Sequence, residues 1–219
     1  ATWSPNPLAD TYNNNPLING FGSITYIDKE LRIKAGSNIR IENMTLKFAP
    51  GARLIIENGE NGQQGGKLTL QNTVLINDER CKKDSLWLGV EVWGNQNANQ
   101  GSVFNTSQGV LRMFGTSRIE NAHIGVLIGK RTVEVVNTVQ NFDQYCNSTI
   151  DDVYDIEEII PFSYENAHNG GIIQVNPGSV FQNNPIGVWF KTYTAQNLAN
   201  NLSFFKASEF IWEDELLEE

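Results

Sequence analysis

One twenty-residue pattern occurs twice in this chain. Residues 109–128 align without a gap on residues 171–190, at a constant offset of 62, and Gly109, Ser117, Asn121, Ile124, Gly125 and Val126 are identical in the second copy. Internal repetition of this kind constrains the fold more than any single motif, because each copy must be the same supersecondary unit stacked on its neighbour.

Shorter patterns inside the repeat recur elsewhere. An apolar-x-apolar pair, a Gly turn and a further apolar residue run from Leu31 to Ile39, Leu46 to Leu54, Leu111 to Ile119 and Ile173 to Phe181. An apolar residue followed by Glu or Gln and then Asn occurs at Ile41-Glu42-Asn43, Ile56-Glu57-Asn58, Leu70-Gln71-Asn72, Ile119-Glu120-Asn121 and Phe181-Gln182-Asn183. A third pattern, Leu or Ile, Gly, Val, any residue, then apolar, covers Leu88 to Val92, Ile124 to Ile128 and Ile186 to Phe190.

Alternation with period 2, closed by Gly or Asn, marks short strands. Such strands are too short to stand as free hairpins, and their turns are not the Asn-Gly type that favours antiparallel pairing. Asn tolerates a left-handed corner, and its amide can bond to the rung above. The reading is a chain that turns after each strand and stacks coil on coil: an all-β parallel β-helix with an apolar shaft. At roughly 20–25 residues per coil the chain predicts on the order of nine coils. The spacing of 15 from Leu31 to Leu46 is shorter than one coil, so these copies belong to different faces.

Three stretches break the pattern. Residues 1–23 read as an irregular N-terminal arm, 58–66 as a Gly-rich turn, and 131–170 as a long excursion inserted in a body that spans 24–219. The absence of a charged-then-apolar leader reads as a mature or trimmed form, and the acidic end from Trp212 to Glu219 as a piece of something longer.

Composition removes several function classes. The 219 residues carry a net charge of −9, which opposes phosphate-backbone binding. No apolar run reaches the ~18 residues of a membrane helix. Two Cys and two His exclude zinc fingers and disulfide-framework scaffolds. Cys81 and Cys146 are either one disulfide or two buried thiols.

The segments Leu86 to Asn95, Leu46 to Glu57, Arg118 to Gly125 and Gly170 to Gln174 together resemble right-handed parallel β-helix domains of large secreted Bacteroidetes proteins. The resemblance covers about residues 30–212. It implies a right-handed coil, an extracellular or outer cell-surface location, export by type IX secretion, and an adhesive or carbohydrate-related role.

Candidate chemistry is sparse. Asp151, Asp152, Asp155 and Glu157, with Glu158, bring charge for a Ca²⁺ site of the lyase kind, but five acids in eight residues without Gly are not a loop that wraps the ion. They equally make a solvated acidic segment. His123 aligns with Pro185, and a corner that accepts Pro does not demand imidazole chemistry. No Gly-x-Ser-x-Gly elbow accompanies either histidine. Trp87, Trp93, Trp189 and Tyr193 are the candidate sugar-stacking residues; the competing reading makes them a second small core. Mixed outward residues exclude an ice-binding face. The leading expectation is a non-catalytic, extracellular, glycan-binding or adhesive module without a resident cofactor. The alternatives are a polysaccharide lyase or glycoside hydrolase using acids of the excursion, and a structural spacer.

Overall fold

A computed structural model describes residues 1–3, 23–81, 86–131, 168–193 and 201–213. The strands are β1 (Thr2–Trp3), β2 (Ile24–Ile27), β3 (Glu30–Ile33), β4 (Asn38–Glu42), β5 (Thr45–Phe48) and β6 (Arg53–Ile56). They continue as β7 (Lys67–Gln71), β8 (Val74–Asn77), β9 (Trp87–Val92), β10 (Val110–Phe114), β11 (Arg118–Glu120) and β12 (Ala122–Ile128). Beyond them come β13 (Ile172–Val175), β14 (Val180–Gln182), β15 (Ile186–Phe190), β16 (Phe204–Phe205) and β17 (Glu209–Ile211).

Every third strand joins the same sheet. Sheet A runs β1-β4-β7-β10-β13-β16, sheet B runs β2-β5-β8-β11-β14-β17, and sheet C runs β3-β6-β9-β12-β15. All pairings are parallel. The chain is therefore a three-sided parallel β solenoid. The offset of 62 is its register: Leu111 pairs with Ile173, Ile119 with Phe181 and Ile124 with Ile186, one pair in each sheet.

Alternation turns one residue in two toward the shaft, where like stacks on like. In sheet A, Ile39, Leu68, Leu111 and Ile173 align. Leu46, Leu75, Ile119 and Phe181 do so in sheet B. Leu54, Val90, Val126 and Val188 do so in sheet C. These rows form one continuous core. Trp3 pairs with Ile41 and is itself buried against that core, so the first three residues are part of the solenoid; 4–22, the rest of the expected arm, lie outside the described residues, as does most of the excursion.

Corners decide the coil lengths. From β4 onward only two to four residues intervene between sheets A and B, and several of these corners are bonded to one another along the axis. Asn43 and Asn72 take positive φ, 54° and 48°, the left-handed turn that Asn accepts at low cost. Asn72 donates to Asn43 Oδ1 at 3.3 Å, and its own Oδ1 accepts from the Thr116 amide at 3.2 Å. Asn121 and Asn183 hold the B-to-C corner at φ 54° and 53°, and Asn121 donates to Asn77 Oδ1 at 2.7 Å.

The described strands make five to six coils rather than nine. Register partners in sheet A are 29, 43, 62 and 30 residues apart, from Arg40 through Thr69, Arg112 and Gln174 to Phe204. The strands keep their length; extra residues enter chiefly where sheet C hands over to sheet A. The fixed period assumed from sequence averaged over corners of unlike size.

One glycine answers a close approach. Gly89 has φ 96°, and a Cβ there would lie 1.7 Å from the Ile124 carbonyl oxygen, where β12 carries one more residue than β9. Leu111→Ala, at a wholly buried rung, is expected to cost 2–5 kcal/mol by the cavity rule. Arg112→Ala, on the outward side of the same strand, is expected to cost under about 1 kcal/mol. Urea unfolding followed by far-UV circular dichroism compares them; equal midpoints would refute the inward assignment.

Candidate functional site

Segments that join sheet C to sheet A emerge on one side of the solenoid. They are 34–37, 57–66, 93–109, 129–171 and 191–203, of which 132–167 and 194–200 lie outside the described residues. Insertions collected on one edge of a repeat array are the usual place for binding.

These loops are stitched to each other along the axis. Gly36 N donates to the Gln64 carbonyl at 2.8 Å, and Gly59 N to the Ser107 carbonyl at 2.6 Å. Gly65 N donates to the Thr106 carbonyl at 3.0 Å. The Lys67 ammonium donates to the Phe104 carbonyl and to Gln64 Oε1, at 2.5 and 2.7 Å; burial lowers its pKa. Buried Gln108 folds the 93–109 loop on itself, donating to the Asn95 and Ala98 carbonyls at 3.0 and 2.7 Å. Buried Gln100 donates to the Gly170 carbonyl at 3.2 Å and accepts from Leu202 N at 2.6 Å, spanning three loops. The result is an amide-rich ridge on a rigid base. Phe104 stands on it 67% exposed, beside Gly101, Ser102 and Asn105.

Two of the four sequence-nominated aromatics reach this edge. Trp93 donates from Nε1 to Glu91 Oε2 at 2.9 Å. Its ring lies 5.2 Å from the Arg32 guanidinium and 4.8 Å from the Lys130 ammonium, with the His168 ring at 5.5 Å. Tyr193 packs on Gly170, where a Cβ would come 2.6 Å from its ring, and donates its hydroxyl to the Ala98 carbonyl. Burial raises the phenol pKa. Trp87 is elsewhere: it is wholly buried in the shaft, stacked on Phe48 at 4.2 Å, with Nε1 bonded to the Glu120 carbonyl at 2.8 Å. It has no face to offer a ligand. The strand bulge at Gly89 turns Trp87 inward, which simple alternation from Val90 does not foresee. Trp189 is half-buried on the outer face of sheet C, with Lys191 5.2 Å from its ring.

That outer face carries a charge that sequence reasoning passed over. Arg32, Ile55, Glu91, Leu127 and Trp189 form one outward row, and Ile55, Glu91 and Leu127 are wholly buried. The Glu91 carboxylate lies 3.2 Å from Arg53 and 3.6 Å from Arg131. Arg53 reaches on to Glu30 at 3.2 Å, and Arg32 joins Glu30 and Glu57. Glu91 of this row, with its neighbours Glu30 and Glu57, is thus met by guanidinium groups, which suits bracing rather than proton transfer. A lone Glu in the apolar run Leu86 to Trp93 was the available signal.

Asp151, Asp152, Asp155, Glu157 and Cys146 lie outside the described residues. Among the described residues no group of three His, Cys, Asp or Glu side chains is arranged to hold a metal. Cys81 is half of a disulfide. His168 bonds to Asn58 Oδ1 at 3.1 Å. His123 is mostly buried, its Nε2 finds no hydrogen-bond partner among the described residues, and burial with nearby Arg131 pushes its pKa down to about 4. No family model, curated protein or solved structure matches the chain.

Glu91→Gln leaves Arg131 buried beside a neutral partner and is expected to lower stability by about 3 kcal/mol. Thermal melts against the exposed control Arg40→Ala check this. His123 has a pH signature. An unfolded His protonates near 6.5, the folded one near 4. Below about pH 6.5 the unfolded chain holds a proton that the folded chain lacks, so stability falls as pH drops toward 4. The loss reaches about 3 kcal/mol. His123→Asn is expected to flatten that part of the stability–pH curve.

Proposed function

We propose that this chain is a non-catalytic β-solenoid module of an extracellular or cell-surface protein, and that its amide-rich C-to-A ridge binds glycan. The observation that carries the reading is the convergence of the long loops on one edge, with Phe104 exposed among Asn, Gln and Ser side chains. Sugars are held by amide hydrogen bonds around an aromatic face that packs on ring C–H groups. Loops tied by Gln100, Gln108 and Lys67 are fixed in advance, which lowers the ordering cost of binding.

The disulfide at Cys81 supports an oxidising compartment. Cys146 is the other cysteine of the chain, and a Cys81–Cys146 bond would tie the excursion to the turn after β8. Right-handed winding is part of the proposal, because parallel crossovers take that hand in ~98% of cases. Membership of a Bacteroidetes type IX cargo family rests on the sequence resemblance. Among the described residues no helix is long and apolar enough to cross a membrane.

A glycan array is the direct test, with at least one polysaccharide class expected to retain the chain. Phe104→Ala is expected to cut that retention about tenfold, equal to about 1.4 kcal/mol, with an unchanged melting temperature because the ring is exposed. No retention on any glycan would refute the binding reading and favour the spacer. Unsaturated product from uronic-acid polymers with Ca²⁺, lost in Asp151→Ala with Asp152→Ala, would instead establish a lyase. Non-reducing peptide mapping is expected to recover Cys81 joined to Cys146.

A further inference from the structure

Four Asn-Gly pairs occur in the chain, at Asn19, Asn58, Asn61 and Asn169; the first lies outside the described residues. Asparagine before glycine carries a latent reaction, because a residue without Cβ leaves its backbone nitrogen open to the preceding side-chain amide. The fold treats the three described pairs differently. Asn58 Oδ1 lies 3.1 Å from His168 Nδ1, and Gly59 N donates to the Ser107 carbonyl at 2.6 Å. A Cβ on Gly59 would lie 2.0 Å from the Gln63 carbonyl oxygen, so backbone crowds that pair. Asn169 is 4% exposed and donates to the Thr192 carbonyl at 2.7 Å, with Gly170 packed on the Tyr193 ring.

Asn61 stands in different surroundings. It and Gly62 are the central residues of the turn from Glu60 to Gln63, with φ 51° and 84°, closed by Gln63 N on the Glu60 carbonyl at 2.9 Å. Residues 60–64 are all exposed, and nothing lies within 4 Å of where a Gly62 Cβ would stand. The other left-handed asparagines are held by their side chains: Asn43 accepts from Asn72, Asn121 donates to Asn77, and Asn183 accepts from Glu213 N. Among the described residues no such bond holds the Asn61 amide.

We infer that Asn61 is a modification site, the Asn-Gly pair of the described residues that the fold leaves open to spontaneous deamidation. The Gly62 nitrogen attacks Asn61 Cγ. A C–N bond forms, the nitrogen's proton passes to the side-chain amide, and the Cγ–Nδ2 bond breaks to release ammonia. Water then opens the resulting succinimide at either carbonyl, leaving aspartate or isoaspartate at position 61. To reach the attack geometry, Asn61 must leave its left-handed well, which breaks one exposed turn bond. Asn58 must instead give up the bonds that tie loop 57–66 to loop 93–109 and to His168. The product adds a negative charge beside Glu60 on the ridge, and isoaspartate lengthens the main chain of the turn by one carbon. The inference stands whatever the ridge binds.

Ageing of the full chain in mildly alkaline buffer, followed by peptide mapping with mass spectrometry, tests this. A gain of about one dalton, with isoaspartate, is expected at Asn61 at least about tenfold faster than at Asn58 or Asn169. Equal rates, or a lead by either of those two, overturn the inference. The same ageing in concentrated urea is expected to bring the three rates together, because all three are Asn-Gly. If Asn61 keeps its full lead in urea, neighbouring sequence and not the fold selects it, and the inference is overturned.

Discussion

Coil-on-coil stacking in register is the constraint on which the rest depends. A parallel ladder pairs each inward side chain with the inward side chain one coil away, so Leu68, Leu111 and Ile173 must share one row. Slipping a strand by one residue would turn its whole apolar set to solvent. The corners therefore cannot all vary freely. Asn43 and Asn72 hold the A-to-B corner short by amide bonds that run along the axis, and the hydrogen-bonded turn at Asn121 does the same between B and C. With two corners held, length variation is expressed mainly at the third. The ridge of loops follows from sheet register as much as from any property of the loops.

The same geometry explains the ionic row on sheet C. Its outward side is covered, so alternation places Ile55, Glu91 and Leu127 all out of water. Two of these gain by burial; the carboxylate does not, and would be strongly destabilising without Arg53 and Arg131. A buried pair of this kind adds little net stability over an apolar substitute. Its effect is positional: the Arg131 guanidinium meets Glu91 just after the chain leaves β12.

Much of this was legible from the residues. The 62-residue offset, the strand-closing asparagines and the inward rows rest on local chemistry and periodicity, which a single sequence displays directly. Leu111 and Ile173 lie in the shaft for that reason. The coil count was not legible, because the long corners have no period. Trp87 was misplaced because a bulge at Gly89 shifts parity by one, and only the approach of the Ile124 carbonyl shows why glycine stands there. Phe104 escaped notice because it sits in no repeat, and an exposed ring in a polar loop looks the same in sequence as a partly buried one.

A solenoid separates its tasks by direction. Across the axis, each coil is closed by its own three sheets, and charge on an outer face is met by partners on that face, as Glu91 is by Arg53 and Arg131. Along the axis nothing in the repeat itself stops the stacking, so an end is closed only if some other group covers it. At one end Trp3 adds a rung in register with Ile41 and is itself buried. At the other end the repeat continues its inward pattern to Phe210 without a covering residue among those described. The hydrophobic effect that assembles coils 62 residues apart in sequence does not distinguish a coil of the same chain from one of another.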